Sequence, residues 1–437
     1  MSPATISTRS SGTLQLGKPV SSGGQAELFM VRGEKRVAKI YHGLPPTQTN
    51  IQRDRLSTMM KLGPPSNAFV WPLDIIERPS LGYVMEYVDG YKPLGVLANT
   101  EFLNRVDLRT RLRICYRLVD AFEKLHQKTG YAYCDLSGNN ILCDIRNGDI
   151  RIIDNDNLWV EGVVGPSGVS GTYRCMAPEI ESGAIRQPNV ETDLHSLAVL
   201  IFITLLFHHP LIGDKVHDDS LLEQRALGSE ALYIYHPKNR QNAYTKYQEY
   251  GGVSISMLPP SLAALFGDAF VTGLHNPRLR VRETNWKREL TNRLDTLVRC
   301  PNAACIGRQT YLPTPPAPEV TCNWCRTKIR NVHMIKLSNP STGQFQRLKV
   351  VYDGDVLSAH HCKLNQTYNF SSESCYARVE HDPAHGLTLR NISSESLTYY
   401  QPGDPTPRPF PPDKRVRLQV GYRVLFGGNG LQADVLG

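Results

Sequence analysis

Three polar side chains in the stretch 131–156 have the types and spacing for proton transfer and metal binding. Asp135 is followed five positions later by Asn140, and two short apolar runs then lead to Asp154. A carboxylate beside a hydroxyl group can orient it and accept its proton, while a second carboxylate and an amide oxygen are hard ligands that suit Mg²⁺. The stretch alone fits a β-hairpin with acidic turns equally well, because Asp, Asn and Gly are ordinary turn residues. The flanking elements must decide between the two interpretations.

A glycine-rich turn and a lysine precede this stretch. Residues 16–41 read as three strands, of which the third carries Lys39, and the turn between the first two contains Ser22, Gly23 and Gly24. Such a turn lets the backbone approach phosphate groups closely, and a lysine on the next strand can bridge two of them. A plain surface hairpin could have the same residues. The distance from the turn to the segment VAKIY favours phosphate binding.

Helical patterns follow on both sides of the acidic stretch. Residues 107–128 place apolar side chains at helical spacing, and a long apolar run that begins near Asp193 predicts a second, buried helix. The segment GTYRCMAPEI lies between them and contains Thr172 and the triplet Ala177-Pro178-Glu179, and NPRLR ends further on in Arg280.

In this order and spacing, residues 16–296 resemble a eukaryotic-type serine/threonine protein kinase domain. The segments VAKIY, YCDLSGNNIL and IDND, followed by a cysteine ribbon, resemble the bacterial tellurite-resistance-associated kinases. Those kinases are described as members of a triad with a von Willebrand-type protein and a PP2C-type phosphatase. The resemblance implies an α+β bilobal fold, ATP, Mg²⁺ or Mn²⁺, a protein substrate, and the phosphatase and the von Willebrand-type protein as further partners.

The resemblance implies catalytic roles for four of these residues. Asp135 would be the base, Asn140 and Asp154 would hold Mg²⁺, and Lys39 would contact the phosphates of ATP. Arg280 would form a buried pair with the glutamate of the APE triplet, which fixes the geometry of the substrate loop.

Further positions would bind the nucleotide. Asp54 is the only acid in the helix predicted at residues 49–62, so it would pair with Lys39 in place of the usual glutamate. Met85 would close the back of the adenine pocket, and backbone groups of Glu86 and Val88 would hold the ring.

Three departures from the kinase pattern leave the activity open. Tyr133-Cys134 replaces the His-Arg that precedes the catalytic Asp, Ser137 and Gly138 stand where a lysine is usual, and Asp154-Asn155-Asp156 replaces the DFG triplet. The acids are retained, so an active kinase is the first hypothesis and a pseudokinase that acts as a nucleotide-binding scaffold is the second. A small-molecule phosphotransferase is a third hypothesis, but the APE triplet and Arg280 argue against it.

Four cysteines predict a metal site in residues 297–333. A C-x₄-C pair and a C-x₂-C pair are separated by sixteen residues, and this spacing suits a tetrahedral zinc ribbon with Cys300, Cys305, Cys322 and Cys325 as ligands. Two disulfides are the alternative, disfavoured in a reducing compartment. Four thiolates leave no open position on the metal, so we expect a structural Zn²⁺ with a docking or spacer role.

Residues 334–437 change to short alternating segments separated by turns, which predicts an all-β sandwich, and the proline-rich segment 405–412 fits a long loop between two of its strands. GLTLRNISSESLTYY followed by GYRVLFG resembles the later strands of an FHA domain. The Gly-Arg and Ser-x-x-His elements that bind phosphothreonine are not recognisable, so protein docking is the expectation. His360, His361, Cys362 and Cys375 lack the spacing of a second metal site and are expected to be core or surface residues.

Composition agrees with a protein of two or three globular domains. The chain has 437 residues, 41% of them hydrophobic and 21% charged, with a formal charge of +8 that suits anionic ligands. Its longest apolar segment, residues 196–207, is too short to span a bilayer. Residues 1–15 are polar and lack the apolar core of a signal peptide, so we expect a disordered tail, a cytoplasmic protein, and neither membrane nor nucleic acid as a partner.

Overall fold

Short strands with alternating apolar residues occupy both ends of the chain, and helices occupy its middle. The computed structural model describes residues 5–97, 105–127, 131–159, 171–214, 216, 220–245, 252–364, 366, 368, 375–428 and 430–436. The chain divides into two units: unit 1 is Met1–Val106 with Thr110–Lys287, and unit 2 is Asp107–Arg109 with Arg288–Gly437. The predicted boundaries at residues 296 and 333 stay predictions.

The helices in the described part are α1 (Pro46–Leu62), α2 (Leu94–Leu97), α3 (Leu108–Gln127), α4 (Pro178–Glu181), α5 (Val190–Leu206), α6 (Ser220–Leu227), α7 (Pro260–Gly267), α8 (Glu283–Asp295) and α9 (Ala359–Cys362). None of these helices is long and apolar enough to cross a membrane. The strands of unit 1 are β1 (Thr5–Thr8), β2 (Gly12–Ser22), β3 (Ala26–Val31), β4 (Arg36–Tyr41), β5 (Asp74–Arg78), β6 (Gly82–Glu86), β7 (Lys92–Pro93), β8 (Ile141–Cys143) and β9 (Ile150–Ile152).

The first six strands close into a barrel in the order β1-β2-β3-β4-β6-β5. Apolar side chains that alternate along the strands fill it, among them Ile6, Phe29, Ala38 and Val84. Helix α1 packs Leu56 against the other face of the sheet. Strand β4, which carries Lys39, therefore lies between the interior of the barrel and helix α1.

The expected disordered tail is wrong for residues 5–15, and residues 1–4 lie outside the described residues. Thr5–Thr8 forms β1, which pairs with both β2 and β5 and so completes the barrel. The carboxylate of Asp74, which is buried, accepts hydrogen bonds from the backbone N–H groups of Ser10 and Ser11 at 2.7–3.2 Å. Only Ile6 of β1 is apolar and buried, and one of the strand's two partners, β5, lies about seventy positions further along the chain, so the local pattern gave little signal.

The helical predictions for the middle of the chain are confirmed. Helix α3 buries every apolar position predicted for it, at no more than 1% exposure: Leu112, Cys115, Leu118, Val119, Phe122 and Leu125. Helix α5 is buried along almost its whole length, as expected from its apolar run. Its first turn is fixed by a capping box between Asn189 and Thr192.

Unit 2 contains two small hairpins and two larger sheets. The hairpin strands are β10 (Leu297–Arg299), β11 (Gln309–Tyr311), β12 (Val320–Thr321) and β13 (Lys328–Ile329). The remaining strands are β14 (Met334–Ser338), β15 (Phe345–Val350), β16 (Val356–Ser358), β17 (Cys375–Asp382), β18 (Gly386–Asn391), β19 (Leu397–Tyr400), β20 (Arg408–Phe410), β21 (Arg415–Arg417), β22 (Arg423–Leu425) and β23 (Gln432–Leu436).

The two larger sheets have the orders β15-β14-β23-β22-β19-β20 and β16-β17-β18-β21. Residues from both sheets share one apolar core, which includes Leu337, Val379, Leu389 and Phe410. This arrangement is the expected sandwich, although β14, β16 and β20 were not predicted. Strand β20 lies in the proline-rich segment 405–412, which was expected to be a loop. Among the described strands it pairs with β19 alone, and an edge strand tolerates proline.

Candidate active site

A buried aspartate at the start of α5 holds the loop that carries Asp135. The carboxylate of Asp193 accepts hydrogen bonds from the backbone N–H groups of Tyr133 at 2.6 Å and Cys134 at 3.2 Å. Cys134 has a φ of 71°, a left-handed conformation that is costly for a side chain other than glycine. The two hydrogen bonds to Asp193 fix this bend and thereby set the direction of the next residue, Asp135.

Asp135 lies half-buried with its carboxylate against a hydroxyl group. The Oγ1 of Thr172 donates a 2.6 Å hydrogen bond to Asp135 Oδ1. The Nδ2 of Asn140 donates to the backbone oxygen of Asp135 at 3.0 Å and to its Oδ2 at 3.3 Å. Burial raises the pKa of Asp135 above its ordinary value, although the hydrogen bonds from Thr172 and Asn140 oppose the rise. The arrangement shows that this carboxylate can accept a hydrogen bond from a hydroxyl group.

Lys39 and Asp154 form an ion pair, although 115 positions separate them in the chain. Asp154 follows β9 with a φ of 63° and leads into a 3₁₀ turn at Asn155–Asn157. The side chain of Asn155 donates hydrogen bonds to the backbone oxygens of Val70 at 2.7 Å and Ile152 at 3.0 Å. The segment that replaces the DFG triplet is thus anchored to the barrel side of the site by a buried polar side chain.

The loop of Asp135 and the segment of Asp154 are also joined directly. The hydroxyl of Tyr133, which stands at the position of the usual histidine, donates a hydrogen bond to the backbone oxygen of Ile153. The structure therefore links the predicted residues in two pairs, Lys39 with Asp154 and Asp135 with Asn140, and connects the two segments through Tyr133.

The predicted pair between Lys39 and Asp54 is wrong. Asp54 is exposed on α1, and the side chains that this helix turns inward are instead those of Gln52, Arg55, Leu56 and Met59. The second carboxylate on Lys39 belongs to Asp156, at 2.8 and 3.0 Å from the lysine Nζ. Burial would lower the pKa of Lys39, but the charges of Asp156 and Asp154 raise it above the ordinary value.

Sequence reasoning missed Asp156, Tyr41, Tyr83 and Gln52 as parts of the site. A possible signal was the second acid two residues after Asp154, which has no counterpart in the usual DFG triplet.

The glycine-rich turn has the predicted place between β2 and β3. Ser22 ends β2, and Gly23 donates its N–H to the backbone oxygen of Ala26 at 3.0 Å, which closes a tight turn. Neither Gly23 nor Gly24 has a left-handed φ, and a side-chain carbon at Gly24 would meet no atom within 4 Å. The protein's own packing therefore does not require glycine at these positions, which leaves the approach of a ligand as a reason for them.

The positions predicted to hold an adenine ring lie at the end of β6. Met85 is buried, and Glu86 pairs in register with Arg36 of β4 while its side chain forms an ion pair with Arg151. Val88 follows β6 in the connection to β7. The contacts of these residues with a nucleotide stay predictions.

Gly138, at one of the two positions where the usual lysine is missing, has a packing role. Gly95 donates its N–H to the backbone oxygen of Gly138 at 2.9 Å. A side-chain carbon added to Gly138 would lie 2.8 Å from backbone atoms of Gly95, so only glycine fits. Ser137 beside it is buried.

The ion pair between Glu179 of the APE triplet and Arg280 is confirmed. Two parallel hydrogen bonds of 2.7 Å join the guanidinium to the carboxylate. Arg280 also donates to the backbone oxygens of Glu191, Gly273 and Leu274, so all its nitrogens are used. Through these hydrogen bonds the buried Arg280 connects α4, α5 and the 3₁₀ turn at Pro277–Leu279.

His126 lies between two carboxylates, those of Asp193 and Glu283. Burial by itself would lower the pKa of His126, but the hydrogen bonds and charges of these two acids raise it to about 9. The protonated histidine therefore helps to fix Asp193, which in turn holds the loop of Asp135.

We expect His126 to make the stability of unit 1 depend on pH. Its folded pKa of about 9 exceeds the ordinary value of 6.5, so its contribution is complete below pH 6.5 and is lost as pH rises towards 9. A shift of this size corresponds to about 3 kcal/mol. Urea unfolding of the wild type between pH 6.5 and 9 should show this decline, and His126→Gln should unfold with a flatter dependence. Equal slopes for the two proteins would contradict the assignment.

The four cysteines of unit 2 converge as their spacing predicted. Their sulfur atoms all lie within 4.8 Å of one another, with Sγ–Sγ distances of 3.5 Å for Cys300–Cys325 and 3.7 Å for Cys305–Cys322. Sulfurs bound tetrahedrally to one Zn²⁺ at about 2.3 Å are separated by about 3.8 Å, so the donor set fits the ion. All four are free thiols in the structure, as are the remaining cysteines.

The hairpins around these cysteines are tightly packed. Gly307 lies on the face of Trp324, where a side-chain carbon would come within 2.2 Å of the indole ring. The apolar core of the hairpins continues into Met334 of β14 and Val350 of β15. This cysteine site is therefore built into the edge of the sandwich.

His360 and His361 are core residues of a buried charge network. Both donate towards Asp295, at 3.2 and 2.9 Å, and Lys349 lies 3.7 Å from the same carboxylate. The Nδ1 of His361 accepts a hydrogen bond from the backbone N–H of Ser358. Side-chain ligand atoms of Asp295, His360 and His361 lie within 4.8 Å of one another, and the expectation that the two histidines form no second metal site stays a prediction.

No family model matches the chain. A stretch of 145 residues is 27% identical to mitogen-activated protein kinase kinase kinase 18 of Arabidopsis thaliana, and the match covers 32% of this chain. The chain spans 40% of the length of that relative. The similarity supports a protein-kinase relationship for this chain.

Proposed function

We propose that this protein is an ATP- and Mg²⁺-dependent serine/threonine protein kinase that phosphorylates itself, a partner protein or both. The observation that carries the proposal is the pairing of Lys39 with Asp154 across 115 positions, next to the loop that holds Asp135 and Asn140. These are the residue types that phosphoryl transfer needs for binding phosphates, binding Mg²⁺ and orienting a hydroxyl group.

In the proposed reaction, the oxygen of a Ser or Thr hydroxyl forms a bond to the γ-phosphorus of ATP. The bond from that phosphorus to the β,γ-bridging oxygen breaks, and ADP leaves. The carboxylate of Asp135 orients the hydroxyl and accepts its proton, in the way that it now accepts the hydrogen bond from Thr172. Lys39 contacts phosphate oxygens of the nucleotide.

Mg²⁺ would be held by Asp154 and Asn140, whose carboxylate and amide oxygens are hard ligands. When bound, the ion would neutralise charge on the phosphates. The side chain of Asp154 is 35% exposed and can therefore reach a ligand in the cleft.

Unit 2 is proposed to support docking rather than catalysis. Cys300, Cys305, Cys322 and Cys325 would hold a structural Zn²⁺, and the two-sheet sandwich would serve as an FHA-like module for a protein partner. A PP2C-type phosphatase and a von Willebrand-type protein are the proposed partners.

The test is transfer of label from γ-labelled ATP with Mg²⁺ to the chain itself and to a generic protein substrate. Asp154→Ala should lower the rate at least about 10²-fold, because it removes a metal ligand at the charged centre. Asp268→Ala, the same change at an exposed acid of the helical region, should leave the rate unchanged.

Wild-type protein that binds ATP but transfers no label would refute the proposal and favour the nucleotide-binding scaffold. Equal rates for the wild type and Asp154→Ala would also refute it, because the label would then come from a contaminant.

A further inference from the structure

Asp156 is the most completely bonded carboxylate around Lys39. Its Oδ1 accepts from Lys39 at 2.8 Å and from the hydroxyl of Tyr83 at 3.1 Å, and its Oδ2 accepts from Lys39 at 3.0 Å and from the hydroxyl of Tyr41 at 2.5 Å. Asp156 is 1% exposed and Lys39 is 6% exposed. A carboxylate buried to this degree requires a cation, and Lys39 is that cation.

The two acids on Lys39 are not equivalent. Asp154 is the more exposed of the two, with 35% of its side chain accessible against 2% for Asp156. The tyrosine hydroxyl hydrogen bonds described above go to Asp156. Asp156 is therefore the permanent counter-ion, and Asp154 can be released from the lysine.

Helix α1 supplies an amide at the point where an acid was expected. The Nε2 of Gln52 donates to the hydroxyl of Tyr41 at 2.9 Å and to the backbone oxygen of Asp156 at 3.1 Å. Its Oε1 accepts from Arg55 at 2.8 Å. The helix thus supports the segment of Asp156 and does not pair with Lys39 itself.

We propose that Asp156 is the positioning residue for Lys39 and takes the place of an acid on helix α1. The proposal rests on the proposed function for its consequence in phosphoryl transfer. With Lys39 held by Asp156, the carboxylate of Asp154 is free to bind the metal. The position of Lys39 and one of the proposed metal ligands, Asp154, are then set by one segment, residues 153–157, and a movement of α1 does not by itself break the ion pair between Lys39 and Asp156.

The first test needs no nucleotide. In Asp156→Asn, Lys39 loses its buried counter-ion, so its amine should react about tenfold faster with acetic anhydride at pH 9, read by mass spectrometry of the Lys39 peptide. The double variant Asp156→Asn with Gln52→Glu places a carboxylate at the α1 position whose side chain contacts Tyr41 and the backbone of residue 156, and it should return the reaction to within about threefold of wild type. Asp54→Asn should leave it unchanged.

The second test measures transfer. Asp156→Asn should lower kcat about 10²-fold with a smaller change in KM for ATP, and the double variant should recover at least about tenfold in kcat. A loss of stability alone would not be repaired by an acid on another element. Thermal unfolding of each variant shows whether it is folded.

The inference is overturned if folded Asp156→Asn labels Lys39 at the wild-type rate or keeps wild-type kcat. If Asp156→Asn does not fold, the double variant is the deciding protein. It should fold and protect Lys39 from acetylation. A double variant that is unfolded, or in which Lys39 is rapidly acetylated, overturns the inference. A wild-type chain without transfer activity would refute the proposed function, while the labelling result would still decide the partner of Lys39.

Discussion

Asp135→Asn should lower kcat about 10³-fold and leave KM for ATP within about threefold of wild type. The carboxylate accepts a hydroxyl hydrogen bond from Thr172 in the structure and is proposed to accept the substrate's proton in the reaction. An amide of the same size can accept a hydrogen bond but is a far weaker base. Steady-state kinetics with ATP and a generic protein substrate measure both constants.

The control for this variant is Asp268→Asn, which makes the same change at an exposed acid of unit 1. Thermal unfolding should place both variants close to wild type, because the new amide oxygen can keep the hydrogen bond from Thr172 and the bond from Asn140 to the backbone oxygen of residue 135 is unchanged. Asp135→Asn with more than about a tenth of the wild-type kcat would show that Asp135 is not the base.

Purified protein should contain about one zinc per chain, and Cys322→Ser should contain almost none. Cys322 is fully buried among the four sulfurs, and a hydroxyl does not replace a thiolate ligand there. Structural zinc is worth about 10 kcal/mol or more in small zinc domains, which is comparable to the whole stability of an ordinary domain. The hairpins β10–β11 and β12–β13 should therefore unfold in the variant.

Elemental mass spectrometry measures the zinc, and hydrogen exchange across residues 297–333 measures the unfolding. Cys375→Ser is the matched control, because this half-buried cysteine lies outside the four-sulfur group. The Cys375→Ser protein should therefore keep its zinc. Zinc-free wild-type protein with disulfides among the four cysteines would contradict the prediction.

Features set within one segment could be predicted from the sequence. The apolar spacing of residues 107–128 predicted the buried face of α3, because helical periodicity fixes which side chains share a face. The C-x₄-C and C-x₂-C spacings predicted that four sulfurs meet, because short knuckles hold each pair together. Asp135 and Asn140 contact each other for the same reason, since one tight loop contains both.

Two predictions failed where the partner lies far along the chain, and a third failed at the edge of a sheet. The acid that pairs with Lys39 was sought on α1, but the packing of Leu56 against the barrel turns Gln52 inward and leaves Asp54 exposed. Residues 5–15 were expected to be disordered, but β1 pairs with β5 about seventy positions later. The proline-rich segment was expected to be a loop, but its strand β20 is supported by β19 at the sheet edge.

The sequence by itself determined the chemical types at the two sites: a lysine, a carboxylate beside a loop asparagine and a second carboxylate at the candidate active site of unit 1, and four thiols at the cysteine site of unit 2. Only the tertiary structure decided which charges meet. Lys39 and Asp156 are 117 positions apart, and neither spacing nor composition can show that Asp156 accepts two hydrogen bonds from Lys39 and one each from Tyr41 and Tyr83. The reason is physical: a buried charge is paired by whichever opposite charge the packing of helix and sheet brings to it, and that packing depends on the whole core.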